Sequence, residues 1–236
     1  NIEIESYLKK KIDTIKLIKN RQIKYFVKAN TGVADSLNYG LSMINEQFVF
    51  RQDDDDISLP ERVKDTLEIF KKHPNIPIVG SSIIKYELRK GKKRRMTIQN
   101  YPSSKFKQIS YLMSARTTAA HPTICFNFNV LSKFDFINKS SLYTNEICED
   151  IILWYKLATN NIFIYQIKHP LVIYSIADNS YSSQVAGSKE INYLPYIKKL
   201  INSNYSYVVL IPFVFYKLIL RFTLLNLKKL QKTFLK

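Results

Sequence analysis

Asp53, Asp54, Asp55 and Asp56 form one unbroken acidic run. Four adjacent carboxylates repel one another unless positive charge sits among them, and a divalent cation held by carboxylate oxygens is the usual remedy. A calcium loop of EF-hand type needs Gly at its sixth position and Glu at its twelfth, but counting from Asp53 gives Ser58 and Lys64, which excludes it. An Asp-Asp-x-x-Asp diphosphate site fails as well, because Ile57 stands where the last Asp belongs. What remains is Asp-x-Asp, a pattern in which one carboxylate holds a metal on a nucleotide diphosphate and its neighbour orients the sugar or ribose. The competing reading is an exposed acidic turn that begins the next helix. A second acidic pair, Glu149-Asp150, lies far downstream and could do acid–base work, although a carboxylate in a first helical turn is also favoured by the helix dipole alone.

These side chains need elements to hold them. Phe48 to Phe50 read as a short apolar strand running straight into the acidic cluster, at a strand end where open α/β sheets place their ligands. Ser58-Leu-Pro60-Glu61 reads as a capping box for a helix with Val63, Leu67 and Phe70 on its apolar stripe and Pro74 as its stop. Upstream, Ile4, Leu8, Ile12 and Ile15 mark an amphipathic helix, Ile23, Tyr25 and Val27 alternate as a strand, and Gly32 turns the chain into a helix through Leu41. Downstream, Ile76 to Ile84 predict a buried strand and Lys90 to Arg95 a solvated hairpin tip. Ile109 to Met113 predict a helix, His121 to Phe126 a strand, and Glu149 to Thr159 a helix ending at Asn160-Asn161. Strands alternating with helices predict an α/β fold with a largely parallel sheet.

The chain has 236 residues, 46% of them hydrophobic and 23% charged, which suits one folded α/β domain and excludes disorder as the main state. Cys125 and Cys148 are the only cysteines, too few and too isolated for a disulfide framework or a zinc site, and both read as reduced core residues. Thirty-six Lys plus Arg against nineteen Asp plus Glu give +17, an attraction to some polyanion. No nucleic-acid motif interleaves with the basic segments, so charge alone does not point to DNA or RNA. The chain begins at Asn1 and shows no signal peptide. Near its end, Lys217, Arg221, Lys228 and Lys232 fall opposite Ile219, Phe222, Leu227, Leu230 and Phe234 on a helical wheel. This predicts a basic amphipathic tail over 206–236, after a domain of 1–205, that docks on an anionic membrane surface.

Taken together, Asn30-x-Gly32, Ser36-Leu-Asn38-x-Gly40-Leu41, Phe50-Arg51-x-Asp53-x-Asp55-Asp56-Ile-Ser-Leu-Pro60-Glu-Arg62, His73-Pro74, Val79-Gly80-Ser81, His121-Pro122-Thr123 and Glu149-Asp150-x-x-Leu153-Trp154 follow one another in a recognisable order. The series resembles the family 2 glycosyltransferases of GT-A fold over roughly residues 1 to 180. The resemblance implies a GT-A-like sheet flanked by helices, and transfer with inversion of a sugar from a nucleotide-sugar donor, a UDP-sugar, to a glycan or lipid-linked acceptor. It implies that Asp53, with Asn30, Gly32, Asn38 and Arg51, binds the nucleotide. Asp55, with Asp53 and Asp56, would hold Mn²⁺ or Mg²⁺, Asp150 would be the base, and Glu149 would orient it. The place would be the cytoplasmic face of the cell membrane, in surface polysaccharide synthesis.

The sequence departs from the family in two places. The family's opening strand and its Asp-Gly-Ser segment precede the first residue here, so the alternative expectation is an inactive fragment that binds a membrane or a partner. Tyr174-Ser175-Ile-Ala177 lacks the polar groups of the family's Tyr-Arg-x-His, and His121 and His169 read as core or loop histidines rather than replacement ligands.

Overall fold

The structure, a computed structural model, describes residues 23–88, 95–146, 148–177, 192–204, 207 and 212. The helix expected over residues 4–15, the basic hairpin tip and nearly all of the amphipathic tail lie outside the described residues. Two compact units are resolved, 1–32 and 33–236. In the first, residues 23–32 are irregular, so the strand expected at Ile23 to Val27 does not form; Tyr25, Phe26 and Val27 are 43%, 46% and 70% exposed. Alternation of apolar residues supplies a strand's faces but not the neighbouring backbone that must pair with it.

In the second unit the strands are β1 (Phe48–Phe50), β2 (Ile57–Ser58), β3 (Ile78–Leu88), β4 (Arg95–Gln99), β5 (Cys125–Asn127) and β6 (Tyr165–Ala177). The helices are α1 (Val33–Ser42), α2 (Arg62–Lys72), α3 (Lys105–Met113), α4 (Phe128–Leu131), α5 (Glu149–Thr159) and α6 (Leu194–Ser203). The sheet order is β1-β5-β3-β6-β2, with β4 also paired to β3. The expected α/β class holds, with helices packed around one sheet. The expectation of a largely parallel sheet is corrected: among the described residues only β3 and β6 run parallel, and the other pairs are antiparallel. β3 is long enough to serve two antiparallel neighbours in turn, β5 along Ile78 and Val79 and β4 along Ile83 to Glu87.

β6 is shaped by its own sequence. Pro170 lacks an N–H for the ladder, and the pairing with β3 shifts register between Ser81 and Ile83. The far half of β6 then carries Ser175 alongside Tyr86 at the upper end of the sheet. α5 forms over the expected residues, and its Ile152, Leu153, Trp154, Tyr155, Leu157 and Ala158 are all buried, as befits a helix apolar on most sides. It packs between α3 and α6, and Gln108 joins this core by bonding both the N–H and the C=O of Ile164. A smaller cluster of Phe70, Val79, Cys125, Ile167 and Leu171 lies under α2.

Two local expectations are corrected. α2 starts at Arg62 with Glu61 as its first flanking residue and no side-chain cap, because Ser58 is drawn into β2 beside Val172. His121 to Thr123 make one turn of 3-10 helix, and the strand proper begins only at Cys125.

Candidate active site

β1 delivers the acidic turn. Its edge pairing with β5 continues one step beyond the strand, where the Arg51 N–H donates to the Ile124 carbonyl at 2.9 Å, so Arg51 leaves the sheet in a fixed direction. The chain then turns through Asp53 to Asp56 and re-enters the sheet as β2, held against β6. Asp53, Asp55 and Asp56 each offer a carboxylate oxygen, and these oxygens lie within 4.8 Å of one another. Arg51, whose side chain is 11% exposed, makes an ion pair with Asp53.

Asp56 is fastened from across the sheet. Its Oδ1 accepts the Ser175 N–H at 2.9 Å, while its Oδ2 is buried with no hydrogen-bond partner. Burial, followed by repulsion from Asp53 and Asp55, pushes its carboxyl up to about 6. The 174–177 segment therefore reaches the acidic cluster with a main-chain donor. Its side chains gave no sign of this, since a peptide N–H carries no sequence signature. A buried carboxylate oxygen without a donor, set among two more carboxylates, fits a hard cation such as Mn²⁺ or Mg²⁺.

The second acidic pair begins a helix. Cys148, just before α5, has φ of 61° and ψ of 52°, a left-handed conformation uncommon for a residue with a side chain, and it swings Glu149 and Asp150 into the first turn of the helix. Both are partly buried. Burial, and then the charge of Glu149, push the Asp150 carboxyl up to about 6, and Arg51 acts in the other direction. Glu149 is raised by burial too, with Arg51 lowering it and Asp53 raising it. Arg51, paired with Asp53, thus acts electrostatically on Glu149 and Asp150 as well.

Behind them stands an aromatic wall. Tyr143 is buried, and burial holds its hydroxyl well above the usual range, with the charges of Arg51, Asp150, Glu149 and Asp53 all reaching it. His121 Nε2 lies 2.8 Å from the Tyr143 hydroxyl, and its ring meets Trp154 edge-on at 6.1 Å. Burial and then Arg51 drive His121 well below the usual histidine range, so it is neutral and, as expected, a satisfied core histidine. His169 is exposed and pairs with Asp65 at 2.8 Å, outside this cluster.

The nucleotide-binding candidates separate. Arg51 and Asp53 are in the site. Asn38 is buried, and its amide bonds both sides of the Tyr143 backbone, Nδ2 to the carbonyl at 2.8 Å and Oδ1 from the N–H at 2.9 Å. Both ends of the Asn38 amide thus hold the Tyr143 backbone in place. Asn30 and Gly32 belong to residues 1–32, where the Gly32 N–H donates to Asn30 Oδ1 at 3.3 Å and Gly32 has φ of 101°. That turn favours glycine because a Cβ disfavours such a φ. Cys125 is buried as expected, with its thiol pushed up to about 12 by burial, and Cys148 is only partly buried.

Two residues that hold the acidic turn carried no expectation of their own. Arg62 is 3% exposed and donates from Nη1 to Gln52 Oε1 (2.5 Å) and Ser58 Oγ (2.7 Å), and from Nη2 to the carbonyls of Arg51 and Pro122 (2.6 Å each). Gln52 Nε2 in turn donates to the carbonyls of Asp53 and Asp56, each at 2.9 Å. Arg62 belonged to the Leu-Pro-Glu-Arg pattern, whereas Gln52 stood at a position read as variable.

Residues 4–135 match the family model for glycosyl transferase family 2, more than half of the chain, and the chain belongs to that family of glycosyltransferases. An uncharacterized glycosyltransferase of Haemophilus influenzae is 27% identical over 158 residues, 67% of this chain and 55% of that protein. The UDP-Gal:alpha-D-GlcNAc-diphosphoundecaprenol beta-1,3-galactosyltransferase of Escherichia coli is 26% identical over 136 residues, 58% of this chain and 46% of that protein. The chain spans about half the length of these curated relatives. The solved S. aureus TarS 1-349 in complex with UDP-GlcNAc aligns over 84% of this chain and 60% of its own, with a TM-score of 0.47 and 14% identity. Among the described residues no helix is long and apolar enough to cross a membrane.

Proposed function

We propose that the chain carries the reacting centre of an inverting glycosyltransferase that moves a sugar from a UDP-sugar to a glycan or lipid-linked acceptor in cell-surface polysaccharide synthesis. The observation that carries this reading is the cluster of Asp53, Asp55 and Asp56 carboxylate oxygens within 4.8 Å of one another, with Arg51 paired to Asp53 and within electrostatic reach of Glu149 and Asp150. The donor and the lipid-linked acceptor draw support from the name of the Escherichia coli relative. Asp55, with Asp53 and Asp56, would hold Mn²⁺ or Mg²⁺, which when bound supplies positive charge to the leaving diphosphate.

Asp150 then has a defined task. The acceptor hydroxyl oxygen attacks the anomeric carbon, the bond from that carbon to the diphosphate breaks with its electron pair leaving on the diphosphate, and the hydroxyl proton passes to an Asp150 carboxylate oxygen. A carboxyl raised to about 6 is a stronger base than an ordinary aspartate and is still ionised at neutral pH. Arg51 limits that rise and partly neutralises the acidic surroundings that a diphosphate would otherwise meet. Tyr143 and His121, both buried and uncharged, add no competing base. The nucleotide-binding roles of Asn30 and Gly32 rest on the family resemblance. The basic tail supports placement at the inner face of the cell membrane, where anionic lipid attracts juxtaposed lysines and arginines.

The test is a panel of nucleotide sugars assayed for metal-dependent hydrolysis and transfer with the intact protein. UDP-sugar turnover that vanishes with a chelator and returns with Mn²⁺ is the expected result. Failure of every donor to bind with metal present would refute the reading.

A further inference from the structure

Arg62 is a buried cation without a carboxylate partner: among the described residues no ion pair involves it, and its four hydrogen bonds go to neutral oxygens. Burial lowers its proton affinity, which is the cost of keeping a charge there. A leucine or methionine would fill the same space against the Phe50 ring, whose centroid lies 5.6 Å from the guanidinium carbon. The position of the bonds shows what the charge is for. Two fix the strand exit at Arg51 and the turn at Pro122; the others fix Ser58 and the Gln52 amide oxygen. Ser58 Oγ also donates to that oxygen, at 2.6 Å, so the amide has one orientation. Its NH₂ group must then face the turn, where it ties the carbonyls of Asp53 and Asp56 together.

We infer that Arg62 and Gln52 form a positioning relay, absent from the acidic motif itself, that shapes the Asp53–Asp56 turn so that its carboxylates converge on a divalent cation. The planar fork of Arg62 reaches four acceptors at once, a geometry that a lysine ammonium on a flexible stem does not reproduce. Gln52 needs both ends of its amide, one to be held and one to hold. The inference rests on the metal reading above, so its test carries one readout that needs no metal.

Gln52→Leu and Arg62→Lys are made in the full chain and titrated with Mn²⁺ alone, following free Mn²⁺ by electron paramagnetic resonance. In parallel, hydrogen exchange of the amides of residues 53–58 is measured without metal. Gln52 is exposed, so Gln52→Leu should fold even if Arg62→Lys does not. The expected result is about 10- to 100-fold weaker Mn²⁺ binding in each variant, faster exchange confined to 53–58, and a double variant no worse than the weaker single one. Wild-type binding and unchanged exchange in folded Gln52→Leu would overturn the relay. If the wild type itself binds no Mn²⁺, the metal reading fails, and the relay stands or falls by whether exchange at 53–58 quickens.

Discussion

The acidic turn and the start of α5 bring carboxylates to the same place by opposite means. The turn has almost no apolar anchorage of its own: Asp54 and Asp55 are exposed, and its shape comes from Arg62, Gln52 and the Ser175 N–H. Asp150 is held from behind, by a helix whose Leu153 and Trp154 are 1% and 2% exposed, and by the left-handed turn at Cys148. Directional polar bonds can place several like charges within reach of one cation, while dense packing fixes one carboxyl and strips water from it. Damage should therefore show as lost binding in the first region and as lost stability or altered proton affinity in the second.

The sharpest way to break this contrast is Asp55→Ala. Metal-dependent donor binding and turnover should vanish, with the melting temperature unchanged or raised because one of several repelling charges is gone. Retained turnover would remove Asp55 from the metal site. Trp154→Ala should do the reverse, costing about 3–5 kcal/mol of stability in urea denaturation through the cavity it leaves. A loss below about 1 kcal/mol would mean that α5 is not the anchor argued above.

Asp150→Asn keeps size but cannot accept the proton, so transfer should fall by about 10²-fold or more while donor binding persists. Parallel loss of both would give Asp150 a structural role only. The wild-type rate should also decline on acidification through pH of about 6, where the Asp150 carboxyl takes up its proton. An acid limb near the ordinary aspartate value of 3.8 would contradict the burial argument. The smallest effect concerns stability. Because the folded-state value is raised, the folded protein binds the proton more tightly than the unfolded chain, and stability falls as pH rises from 3.8 to about 6. Asp150→Asn should therefore melt higher than wild type at pH 7.5, the gap closing toward pH 4; a gap independent of pH would show that charge is not its cause.

Much of this was legible locally. The acidic run at the end of an apolar strand and the α5 boundaries at Glu149 and Thr159 follow from nearest-neighbour repulsion and from helical spacing, which are properties of a few consecutive residues. Of the stripe expected on α2, by contrast, only Phe70 is buried, and Val63 and Leu67 are exposed. Local pattern misled where a residue had a better offer from afar. Ser58 has the spacing of a cap, yet it enters β2 and bonds Gln52 and Arg62. The direction of β3 relative to β4 and β5 was equally hidden, since alternation specifies which face a side chain takes and not which way its neighbour runs.

The sequence by itself determined which carboxylates could do chemistry, because charge repulsion and motif spacing act along the chain. Only the tertiary structure decided what they do it with. Asn38 holds Tyr143 across 105 positions, Asp56 takes the Ser175 N–H across 119, and Arg62 bonds the Pro122 carbonyl across 60. In two of these bonds the partner is a bare peptide group, identical at nearly every residue, and in the third an amide grips both sides of one. No local pattern distinguishes one N–H or C=O from another, so their pairing is set only when packing brings the strands and helices together.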